Sequence, residues 1–164
     1  MSWAHIHLAL THVPVIGLLI VLLLLVVARL RRSAELMRVS YGLLVLLAVA
    51  TVIVYLTGEP AEELVENLPG FSETLVEQHE EAALIATIGM GVLGLVALVG
   101  LIRFRAPWIA PAWYGPGVLL LALLVGGLMA WTANLGGQIR HSEIRPDRGA
   151  TLDSGGRISE DPEH

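Results

Sequence analysis

The sequence predicts an all-α integral membrane protein, a bundle of four transmembrane helices with both termini on the outer side. Three observations predict it. Hydrophobic residues make up 55% of the 164 residues and charged residues only 15%. A water-soluble fold of this size could not hide that much apolar side chain, because small domains keep much of their surface in solvent. The charges also fall in short stretches between long uncharged runs, as in a chain that crosses a bilayer. Finally, all ten basic residues are arginines, and they are placed asymmetrically.

The apolar segments run over residues 8–28, 41–57, 82–102 and 117–135. At about 1.5 Å per residue, roughly 20 residues cross a hydrocarbon core of about 30 Å. The first, third and fourth segments meet that length; the second is short, and is expected to stand nearly upright. The first segment lacks a basic leader and ends in Arg29-Leu30-Arg31-Arg32 rather than a small-residue cleavage site. It is therefore read as a retained helix. Arg29, Arg31, Arg32 and Arg38 follow the first segment, and Arg103 and Arg105 follow the third. By the positive-inside rule both of these loops are cytoplasmic.

Between the second and third segments, Pro60 to Leu68 reads as a short amphipathic helix stopped by Pro69-Gly70. Ser72 is the expected cap of a helix that continues through His79 into the third span. Pro14 leaves the Leu10 carbonyl without its helical donor, so a bend is expected near His12. Residues 1–141 form the transmembrane domain, and residues 142–164 form a polar, flexible tail. No internal repeat is evident in the letters.

Function classes narrow quickly. The absence of cysteine excludes disulfides, thiolate zinc sites, iron–sulfur clusters and covalently attached haem. The net charge of −5 resides in a loop and the tail, and offers nothing to nucleic acid. No nucleophile–base pair, phosphate loop or paired-carboxylate site is readable. Four spans without an interior charge provide no polar path for transport.

What remains is histidine. His5, His7 and His12 lie at the outer end of the first helix, His79 at the outer start of the third, and His141 just beyond the fourth. The cytoplasmic face has none. An imidazole inside the membrane must find a partner, and ionisable groups there are functional candidates. His7, His12, His79 and His141 are therefore the expected cofactor-binding residues, with His5 an interfacial surface group.

Imidazole suits haem iron, copper, zinc and non-haem iron. A bis-imidazole pair from two helices would hold haem b, with His12 and His79 as first-choice axial ligands. His7 and His141 would then be a second pair or supporting groups. Small residues on the third helix (Ala82, Ala83, Ala86, Gly89, Gly91, Gly94) and the fourth (Gly126, Gly127, Ala130, Ala133) suit either a flat macrocycle or close helix packing. Glu80 becomes a ligand only for a non-haem metal (Cu, Zn or Fe) held by the same histidines. Tyr55 and Asn134 are candidate hydrogen-bond partners for a quinone or a propionate. A structural subunit of a larger membrane complex, its histidines merely interfacial, is the remaining alternative.

These residues carry a resemblance. The stretch His7-Leu8-Ala9-Leu10-Thr11-His12-Val13-Pro14 is similar to the His-Pro-x-x-x-His-Phe-Pro opening of a family of four-helix bacterial membrane proteins, a domain of unknown function. Leu8 and Val13 depart from that pattern. Thr57-Gly58 ending the second helix, His79 opening the third and Gly136-Gly137 near the fourth also resemble the family, over residues 5 to 141. The resemblance implies a bacterial inner-membrane protein whose histidines face the periplasm. It also implies redox company, since such domains occur joined to cytochrome c or Rieske domains, and a b-type cytochrome role. The expected function is thus a non-catalytic electron-transfer subunit in the lipid bilayer, serving a quinone and a periplasmic redox protein or larger complex.

Overall fold

The computed structural model describes residues 3–58, 60, 72–104, 110–141 and 145. It contains α1 (Trp3–Leu30), α2 (Ala34–Leu56), α3 (Glu73–Arg103) and α4 (Tyr114–Arg140). All four are long and apolar enough to cross a membrane. Glu59, the expected amphipathic helix beyond Pro60, Arg105, Trp108 and all of the tail except Arg145 lie outside the described residues.

Each helix is longer than its apolar segment, for local reasons. α2 begins at Ala34 because Ser33 caps it, its hydroxyl accepting from the Leu36 amide at 3.2 Å. The turn before it is unusually tight. The Ser33 amide donates to the Ala28 carbonyl at 2.9 Å, and Arg32 takes a left-handed φ of 50°. This is a helix-ending turn in which glycine is usual, so α1 stops and α2 starts within three residues. α3 extends well before the hydrocarbon region as an amphipathic stretch. There Glu73, Glu77, Glu80 and Glu81 are exposed while Val76 and Ala82 are buried. Ser72 sits at its N-cap position, but its side chain makes no capping bond. α1 runs as one helix through a buried Pro14.

α1 packs against α2 and α4, and α3 against α2 and α4, so the helices form a ring in chain order. Each turns a seam inward at spacings of three and four, which alternate on α1. On α1 the buried residues are Pro14, Leu18, Val21, Leu25 and Ala28. The seams meet in a core around Leu44, Met90, Leu93 and Ala122, all fully buried. The outward faces are apolar as well, with Leu19, Leu23, Leu46, Leu95 and Leu120 each more than half exposed. A surface of that kind suits lipid.

The small residues serve this packing. A Cβ on Gly94 would run into Ala48, one on Gly89 would lie 3.3 Å from Val125, and one on Gly126 would lie 3.5 Å from Leu22. Gly91 and Gly127 meet nothing within 4 Å. At the arginine-rich end, Tyr41 and Tyr114 close the core on either side of Gly100, and the Tyr114 hydroxyl donates to the Val96 carbonyl at 2.6 Å.

A candidate histidine site at the terminal end of the bundle

An even number of helices brings the start of α1 and the end of α4 to one end of the bundle, and the histidines are there. His7 continues the α1 seam outward, since 7, 11, 14, 18 and 21 keep the same alternating spacing. His12 lies five residues on, about 140° around a helix that turns about 100° per residue. It therefore faces outward and is exposed, and its Nδ1 donates to the Leu8 carbonyl of its own helix at 3.0 Å.

His7 reaches across to α2. Its Nδ1 lies 3.1 Å from both the Val54 carbonyl and the Thr57 hydroxyl oxygen. Thr57 commits its own proton to the same Val54 carbonyl at 2.8 Å. Neither partner offers His7 a hydrogen, so Nδ1 is the donor, and in the neutral ring the lone pair is then on Nε2. His79, on α3, does the same to α4, its Nδ1 donating to the Thr132 carbonyl at 3.0 Å. Both rings are partly buried, and they lie close enough across the ring of helices to interact electrostatically.

A glycine lies beside each contact. The residue four positions after a helical carbonyl sits over it, and a side chain there would crowd a second donor; for Thr132 that residue is Gly136. Gly58 lies past the end of α2, its amide donating to the Tyr55 carbonyl at 3.1 Å. A Cβ on Gly136 would lie 3.0 Å from His79 Cε1, and one on Gly58 would lie 3.7 Å from His7 Cε1.

The remaining expected residues lie apart from this pair. His141 is exposed at the C-cap of α4, its amide donating to the Gly137 carbonyl at 2.9 Å. Glu80 is exposed beside His79. His5 lies in α1, its side chain outside what is described. Tyr55 is exposed, and Asn134 is exposed and accepts from Gln138 at 2.7 Å. Among the described residues no three of His, Asp or Glu gather in an arrangement that could hold a metal ion. The many-ligand non-haem set is therefore not assembled there.

Sequence reasoning noticed Thr57-Gly58 and Gly136-Gly137 only as motif letters, and missed Val54 and Thr132 altogether.

The site thus holds two imidazoles from different helices, each donating from Nδ1 to a main-chain carbonyl. No curated protein and no solved structure matches the chain. A family model described as "Predicted membrane protein (DUF2231)" matches residues 4–143. The seam-borne histidines and four apolar helices thus sit within that match, and the chain belongs to this family of predicted membrane proteins.

Proposed function

We propose that the protein is an electron-transfer subunit of the bacterial inner membrane that binds haem b between His7 and His79 near the periplasmic face. One observation carries the reading: both imidazoles are held by main-chain carbonyls at Nδ1, which leaves Nε2 as the ligating atom on each. Haem b, when bound, supplies a one-electron centre whose potential depends on its axial ligands and the surrounding dielectric. His7 on α1 and His79 on α3 would hold the iron. The carbonyls of Val54 and Thr132 fix the tautomer and strengthen each imidazole as a donor. The partly buried position keeps bulk water from the ligands. The arginine-rich loops, read by the positive-inside rule, support an orientation in which a quinone and a periplasmic redox protein or larger complex would exchange electrons with the site.

The test is an optical spectrum of the protein purified from haem-replete cells. The expected result is a low-spin b-type spectrum, lost or converted to high spin in His7→Gln and in His79→Gln, and retained in His12→Ala. A colourless preparation that added haemin leaves unchanged would refute the proposal. Elemental analysis of that preparation would then show whether copper, zinc or non-haem iron is present instead.

A further inference from the structure

We infer that the bundle is a tandem repeat of one helical hairpin, and that His7 and His79 are equivalent halves of a single site, flanked by Gly58 and Gly136 at equivalent positions. α1–α2 is the first copy and α3–α4 the second. In a ring of four antiparallel helices, an approximate two-fold axis along the bundle carries α1 onto α3 and α2 onto α4. Adding 72 to an α1 number gives its α3 counterpart (7 to 79), and adding 78 takes α2 to α4 (54 to 132).

Independent contacts obey this one rule. His7 on the Val54 carbonyl, against Gly58, answers to His79 on the Thr132 carbonyl, against Gly136. Lower in each hairpin, a Cβ on Gly17 would meet Leu47, and one on Gly89 would meet Val125, the equivalent pair. Between hairpins, Gly94 against Ala48 answers to Leu22 against Gly126. The buried seams agree as well: Leu18, Val21 and Leu25 correspond to Met90, Leu93 and Ala97. The side chains have diverged almost completely, which is why the letters conceal the repeat. The packing register has not.

The site follows from the repeat. Two equivalent half-sites face a common axis, each presenting one neutral imidazole through Nε2. A ligand on that axis would meet the same kind of donor from both sides. The identity of that ligand as haem rests on the function proposed above; the equivalence of the half-sites does not.

The test is nitrogen-15 NMR of histidine-labelled full-length protein in micelles. In the unmodified protein, both His7 and His79 should be Nδ1–H tautomers with a hydrogen-bonded ring proton. Gly58→Val should abolish that resonance for His7 alone, and Gly136→Val for His79 alone. Gly136→Ala should shift the His79 resonance, because its Cβ would stand 3.0 Å from the ring, whereas Gly58→Ala should leave His7 in place at 3.7 Å. Finding either histidine in the Nε2–H form, or a valine variant that folds and leaves its own histidine undisturbed, would overturn the inference. The tautomer measurement needs no variant, so a misfolded substitution does not leave the matter open. A protein that binds no haem yet gives the matched histidine result refutes the proposed function and upholds the repeat.

Discussion

Replacing Gly100 with alanine puts the close packing of this bundle to a quantitative test. The added Cβ would lie 2.8 Å from Tyr41 Cε2 and 2.9 Å from Tyr114 Cε1. Ordinary carbon contacts lie at about 3.5–4.0 Å. Neither ring can retreat cheaply, since Tyr41 is 1% and Tyr114 7% exposed. Tyr114 is further held by an edge-on contact with Phe104, 4.9 Å between centroids, and by its 2.6 Å hydrogen bond to Val96. Overpacking of a filled core costs about 1–3 kcal/mol. Loosening the tyrosine hydrogen bond adds about 1 kcal/mol, and alanine's better helix propensity returns about 1 kcal/mol. The expected outcome is destabilisation by about 1–3 kcal/mol, mainly from the overpacking. The assay is reversible unfolding of the protein in mixed micelles, followed by helical circular dichroism. Gly91→Ala is the control, because nothing lies within 4 Å of its Cβ and it should be neutral or mildly stabilising. If Gly100→Ala unfolds at the same detergent fraction as Gly91→Ala, the tyrosine clamp is not the tight contact described.

Three further outcomes follow. Arg32→Gly should stabilise the α1–α2 turn by about 1 kcal/mol in the same unfolding assay, because a left-handed residue with a Cβ costs about 1–2 kcal/mol. Met90→Ala removes a fully buried side chain at the centre of the core and should cost about 2–5 kcal/mol there. Arg145 donates to the Gln138 and Ile139 carbonyls at 2.9 and 3.2 Å; Arg145→Ala should speed hydrogen exchange in the last turn of α4 and leave α1 to α3 unchanged.

The four spans were legible because a bilayer imposes a length and an apolarity that no other environment demands. Their ends were less legible. α2 starts seven residues before its apolar segment because Ser33 and the Arg32 turn start it, and capping outweighs hydropathy at a helix end. The histidine site was readable as a place but not as a pair. His7 and His12 look alike in a list of interfacial histidines, yet they differ by about 140° of helix rotation. Continuing the α1 seam outward by threes and fours selects His7, so this signal was present in the residues. The acceptors were not readable, since any helical carbonyl is invisible in sequence until a partner is known to face it. The small residues of α3 and α4 suited a macrocycle or packing equally well on paper, and contact with Ala48, Val125 and Leu22 accounts for three of the glycines.

The two histidine anchors each lie within a single hairpin: His7 binds α2, and His79 binds α4. Each half-site can therefore form as soon as its own two helices have met, before the hairpins find one another. Only the docking of one hairpin on the other brings the two half-sites together. A ligand held by both, as proposed above, would act as a staple on the last step of assembly. At a hundredfold excess over its dissociation constant it would hold the docked state by about 2.7 kcal/mol. Loading the site and completing the bundle would then be one event.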